Sequence, residues 1–163
     1  MARMQIKTGD TYLAKIAKLS LLTRDQVCGK AIYAGAAVAA DAVREEIKAL
    51  PTDDRFVRGG DKLAGPGSKQ KEGLLNSLGI TPMEDDGKGF LNVKIGFDGY
   101  NQIKSKRWPK GQPNQMVARS VERGTSFMTP NAFMKTAVAK ARRRAKAAME
   151  KTAEREVEKI MKG

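Results

Sequence analysis

Three pairs of adjacent carboxylates, Glu45-Glu46, Asp53-Asp54 and Asp85-Asp86, are the residues whose type and spacing come nearest to catalytic chemistry. Carboxylate-only hydrolysis needs two such groups facing each other across a cleft, one with a raised pKa. Adjacent residues on a helix or loop point in different directions. Asp85-Asp86 also precedes Gly87 in a stretch that reads as a turn, where Asp is common for backbone reasons. The chain has no histidine and a single cysteine, Cys28. This composition excludes a Ser-His-Asp triad, a Cys-His pair, zinc sites of the Cys/His type and haem held by histidine. One cysteine cannot form an internal disulfide, which fits a reduced compartment. The expectation is a protein that is not an enzyme and that holds no metal and no cofactor.

Basic residues offer a different chemistry. The formal net charge is +13, and Asn114 to Gly163 alone holds twelve Lys or Arg against five Glu. Such a balance favours polyanionic neighbours, either nucleic acid or acidic protein surfaces. The densest run is Lys140, Arg142, Arg143, Arg144 and Lys146. On a helix these residues spread over more than half the circumference, since each step turns by about 100°. A solvated face that meets acids such as Glu150, Glu154 and Glu158 on a neighbouring subunit is the first expectation. Sequence-independent phosphate contact is the alternative. Trp108, set among Lys104, Lys106, Arg107 and Lys110, reads the same two ways: an anchor within the domain or a neighbour, or a stacking platform for a base.

The elements that must position these groups follow from periodicity. Asp10 to Leu22 reads as a short helix, and Thr23 to Leu50 as a longer one, opened by a Thr23/Gln26 capping box and stopped by Pro51. Cys28, Ile32, Gly35, Ala39, Ala42, Val43, Ile47 and Leu50 form its apolar stripe. Its many small residues are expected to pack against a sheet, with a helix–helix contact as the alternative. Two loops are expected to be mobile, near residues 52–72 and 101–113. Leu74 to Met83 and Gly89 to Phe97 read as strands joined at Asp85-Asp86-Gly87, with Leu91, Val93, Ile95 and Phe97 inward and Lys94 outward. Gln115 to Arg123 should be a short helix capped by Gly124. The final helix is expected to start near Thr129, with Pro130 at its first position. The fold class is thus α+β: N-terminal helices, a small antiparallel sheet and a long C-terminal helix in one domain spanning 1–163. The most apolar stretch, Ala31 to Ala40, is about half of a membrane span, and no secretory signal is legible, so a soluble chain without a membrane partner is expected.

The segment VERGTSFMTPNAFMKTA, Val121 to Ala137, is the most specific in the chain. It resembles the signature of phage head–tail joining proteins, also called neck, tail-completion or minor tail-component proteins. The matching positions are Glu122, Gly124, Thr125, Ser126, Met128, Phe133, Met134 and Ala137, with Pro130 between them. Gly73, Leu75 and Ser77 resemble a further element of that family, and the order of parts agrees over most of the chain. Met116-Val117 and Lys135-Thr136 depart from its pattern.

The resemblance implies a structural virion protein at the head–tail junction, made in the host cytoplasm and needed for tail completion. It implies self-association, with a hexameric ring as the expectation. It further implies partners among the head-closure or connector proteins and the tail-terminator or tail-tube proteins, and non-specific contact with DNA in the channel. Lys140, Arg142, Arg143, Arg144, Lys146 and Trp108 are the candidates for an interface or for facing DNA. A basic architectural DNA-binding protein is the alternative.

Overall fold

In the computed structural model the described residues are 19–20, 23–87 and 90–163. A π-helical turn, Thr23–Cys28, leads into helix α1, Gly29–Ala49. Helix α2 spans Ser68–Ser77 and runs straight into strand β1, Leu78–Ile80. Strands β2 (Glu84–Asp85), β3 (Leu91–Asn92) and β4 (Ile95–Phe97) follow, then helices α3 (Asn114–Arg123) and α4 (Phe133–Lys162). The class is α+β, with antiparallel pairing throughout the named strands and a long C-terminal helix. Most of the expected Asp10–Leu22 helix lies outside the described residues, although Leu19 and Ser20 are helical.

The body of the fold is an antiparallel pair made by α1 and α4. Lys30 near the start of α1 meets Glu156 near the end of α4, and Glu46 meets Lys140 near its start, both at 2.5 Å. Between them Gly35 lies under Met149, where an added Cβ would fall 2.5 Å from the Met149 Cγ. The small residues of α1 therefore serve a helix–helix contact, and the expected packing against a sheet is corrected. Buried Ala31, Gly35 and Ala42 on α1, with Ala137 and Ala141 on α4, let the two backbones approach closely. The sheet is too small to cover a helix of this length.

The expected Thr23–Leu50 helix is helical from Thr23, first as the π-helical turn and then as α1. The Thr23 hydroxyl donates back to the Leu19 carbonyl, so it does not form the expected capping box with Gln26. The end is as expected: Leu50 leaves helical space at ψ 134 and Pro51 follows.

Two further boundaries differ from the periodic reading. Ser68–Ser77, expected as part loop and part strand, is helical. Only Leu74 in it is buried, so no apolar period marks it in the sequence. Its N-terminal amides are met by side chains: Ser68 N–H by the distant Asp54 carboxylate at 2.7 Å, and Gly67 N–H by Gln70 Oε1 of the helix itself at 3.0 Å. The single expected hairpin is in fact two ladders, Leu78↔Phe97 to Ile80↔Ile95 and Glu84↔Asn92 with Asp85↔Leu91. The register shifts by one residue between them, at Pro82 and Met83 opposite Val93, which is the signature of a β-bulge. Proline has no N–H to offer a ladder, so pairing breaks there.

The core gathers where the α1 C-terminus, α2, α3 and the α4 N-terminus meet. Ile47, Leu74, Val121 and Ala137 are wholly enclosed, and the Phe97 ring stands edge-on to Phe133 with centroids 6.1 Å apart. No helix among the described residues is long and apolar enough to cross a membrane.

Candidate functional site: the helix junction and the basic helix

The motif residues are brought together at one junction. Helix α3 ends at Gly124, whose φ of 73° lies in the left-handed region that glycine enters readily. A Cβ there would also sit 2.9 Å from the Pro130 ring, so the position is held by both conformation and space. Residues Thr125 to Met128 then close a tight turn. Thr125 N–H donates to Met128 O at 3.0 Å, and Thr125 Oγ1 accepts from Phe127 N–H at 3.3 Å. Ser126 is exposed at its tip.

Helix α4 begins at Phe133 rather than near Thr129, and Pro130 is not its first residue. Its cap comes from the preceding helix. Glu122 Oε2 accepts Met134 N–H at 2.8 Å, and Oε1 accepts Lys135 N–H at 3.2 Å. A carboxylate suits this place, since the first turn of a helix carries unpaired N–H groups and a partial positive charge. Phe133 is buried and Met134 packs beside the core. Asn131 N–H donates to Val121 O at 2.8 Å, which ties the connection back to α3.

The loop of residues 51–67 is drawn into the same junction. Leu63 N–H donates to Phe127 O at 2.8 Å, and Thr129 N–H to Leu63 O at 3.0 Å. Asp53, only 9% exposed, accepts two bonds from the Arg55 guanidinium, at 2.8 and 2.7 Å, and one from Ala64 N–H at 3.0 Å. The Arg55 charge, with the Ala64 amide, holds the Asp53 carboxyl well below the usual carboxylate range. Of the loop expected over 52–72, the part from Ser68 is helical, and Asp53, Asp54 and Leu63 hydrogen-bond within the fold.

The paired acids serve the fold. Glu45 pairs with Lys48, and that neighbour lowers its pKa. Glu46 pairs with Lys140 across the helix pair. Asp54 caps α2, where the Ser68 hydroxyl lowers its pKa. Asp85 accepts Gly87 N–H and Asp86 accepts Phe90 N–H in the hairpin turn. Among the described residues no three of His, Cys, Asp and Glu gather as metal ligands would.

The basic run lies on α4, as expected, and all five of its cations are exposed. From Phe133 to Met149 this helix has six Lys or Arg and no acid. Lys140 is paired with Glu46 within the chain, and Lys146 stands 3.8 Å from Glu150. Arg142, Arg143 and Arg144 make no ion pair among the described residues. Lys135, Arg142 and Lys146 share one face, because their spacings of seven and four residues return to nearly the same angle. Glu158 pairs with Lys162 on the same helix, so it is not held ready for a neighbouring chain alone. Trp108 is on another element, the loop of residues 101–113. Its ring is half-buried, and the Arg107 guanidinium lies 5.4 Å from its centroid.

No protein-family model, curated protein or solved structure matches this chain. Its functional reading therefore rests on its own residues.

Sequence reasoning passed over several residues that hold these surfaces. Asn101, 5% exposed, organises the 101–113 loop by accepting Ile103 N–H at 2.9 Å and Gln112 N–H at 3.1 Å. Arg119 and Arg123 line a groove of about 790 Å³ beside β4. Their four-residue spacing on a predicted helix was the available signal, but it places them together only once α3 is set against the ladder.

Proposed function

We propose that the chain is a structural virion protein of a long-tailed bacteriophage, forming a ring at the head–tail junction and needed for tail completion and head–tail joining. The observation that carries this reading is the segment Val121–Ala137. Within it Glu122 and Gly124 fasten two helices at one junction, and the turn of Phe127 to Thr129 bonds the long loop there through Leu63. Residues committed to architecture suit a protein whose work is assembly rather than chemistry. The ring would repeat one heterologous contact until the rotation closes, with sixfold symmetry as the expectation. Its flanking partners would be head-closure or connector proteins on one side and tail-terminator or tail-tube proteins on the other. Antibody labelling of intact particles tests this directly. Label confined to the junction of head and tail is expected, and label on capsid faces or fibres, or none on particles, would overturn it.

A second reading is favoured by one observation: Arg142, Arg143 and Arg144 make no ion pair among the described residues. A basic architectural protein would bind duplex DNA with submicromolar affinity that falls steeply with salt. Replacing all three arginines by alanine would then lower the slope of log K against log salt by about three. The neck reading expects weak or no binding by the isolated chain.

A further inference from the structure

The ladder of β1 and β4 has an open edge beside α3. Thr81 N–H donates to Lys94 O at 2.8 Å and Asp98 N–H to Ser77 O at 3.1 Å, both on the register that pairs Gly79 with Gly96. Hydrogen-bonded and non-bonded pairs alternate along an antiparallel ladder. Gly79 and Gly96 are therefore the bonded pair, and the backbone groups of Ile95 and Phe97 point away from β1. No other backbone among the described residues bonds to them. Ile95 and Phe97 line the groove of about 790 Å³, together with Ala118, Arg119 and Arg123 of α3.

Gly79 and Gly96 line it as well. A Cβ on either would meet open space, and neither has a left-handed φ. Nothing among the described residues calls for glycine at these two facing positions. Glycine inside a strand weakens it, and it often marks a place where another backbone comes close.

The groove also carries open positive charge. Arg119 and Arg123 are exposed, one turn apart, and make no ion pair among the described residues. Its other charged side chains are engaged: Glu122 caps α4, Lys94 pairs with Glu84 at 2.8 Å, and Asp98 accepts Gly99 N–H at 2.7 Å.

We propose that this groove docks an extended, carboxylate-bearing segment of a partner protein, which adds to β4 as a third strand and sets its carboxylates against Arg119 and Arg123. Main-chain bonds to the sheet edge would give affinity, and the flanking charges would give selectivity. Charge complementarity decides the occupant. Residues 1–18 of this chain carry four Lys or Arg against one Asp, and a second copy brings a net charge of +13. Both have the wrong sign. The inference stands on the groove alone and holds whether or not the chain belongs in a phage neck.

The test is an amide NMR titration of the full chain with two synthetic peptides, one alternating valine with Glu and Asp, the other alternating valine with Lys. The acidic peptide is expected to shift the amides of Ile95, Gly96 and Phe97. The double variant Arg119→Glu, Arg123→Glu should weaken it by about tenfold or more and take up the basic peptide instead. Both positions are exposed on α3, so the remaining spectrum should be retained. Several results of the titration would overturn the proposal. These are shifts confined to other surfaces, no shifts at millimolar peptide, equal binding by the charge-reversed variant, or groove amides that change with protein concentration alone. Displacement of the groove signals on deleting residues 1–18 would also overturn it, in favour of the chain's own N-terminal segment.

Discussion

The side chain of Glu122, at the end of α3, accepts the backbone N–H of Met134 in the first turn of α4, at 2.8 Å. Its second oxygen takes the next amide, Lys135 N–H, at 3.2 Å. One carboxylate thus joins two helices that are separated in sequence by a tight turn and an extended connection. Since the last residue before α4, Ala132, offers no capping side chain, Glu122 is the cap that the start of α4 has. Glu122→Ala should cost about 1–2 kcal/mol of stability, and Glu122→Gln less, because its amide still offers one acceptor. Urea unfolding followed by circular dichroism would measure both. Equal stability of Glu122→Ala and the parent would mean that water caps α4 as well as the carboxylate does.

Gly35 sets the closest point of the α1–α4 pair. A leucine there would drive into Met149 and the Ala145 carbonyl, the latter 3.3 Å from the first added atom. Gly35→Leu should destabilise by about 1–3 kcal/mol. Adding Met149→Ala should recover part of that loss, because the space it opens lies against the new side chain. Thermal unfolding of the single and double variants checks the coupling.

Acid should weaken the same helix pair. Lys159 and Lys30 hold the Glu156 carboxyl down to about 2, from an ordinary 4.5. The unfolded chain therefore takes up this proton first. The stabilisation is fully present above about pH 4.5 and falls away as the pH drops towards 2. Glu156→Gln should lose stability at neutral pH and show a flatter melting-temperature profile across that window. Asp53, whose pKa Arg55 lowers, would leave some acid sensitivity in the variant.

Asp53 also gives a local prediction. Its carboxylate holds Arg55 and the Ala64 amide, so Asp53→Asn should loosen the 51–67 loop while the helix pair stays folded. Trypsin should then cut after Arg55 or Arg58 about tenfold faster than in the parent, as local opening becomes easier. An unchanged digestion rate would show that the Leu63 bridge to the Phe127–Thr129 turn suffices.

The parts of this fold that were legible in the sequence are those with a local physical cause. Gly124 ends α3, Pro51 follows the end of α1, and Asp98-Gly99 turns the chain after β4, each by a backbone preference of its own residues. What was not legible depends on partners distant in sequence. Helix α2 has one buried residue and is capped by Asp54, fourteen positions before Ser68. Helix α4 starts where Glu122 reaches it, not where Pro130 suggests. The small residues of α1 could not reveal that their partner was a helix, since alanine and glycine serve close packing against either surface. At the candidate surfaces the basic run was visible as composition, whereas the groove of Arg119 and Arg123 needs β4 beside α3.

The central claim is a role at the head–tail junction. If the gene belongs to a tailed phage, as proposed, electron microscopy of lysates of that phage with this gene disrupted tests it most directly. The account predicts full heads and finished tails lying unjoined, or joined tails of defective form. Normal infectious particles would contradict it and leave DNA binding by the basic helix as the function to pursue.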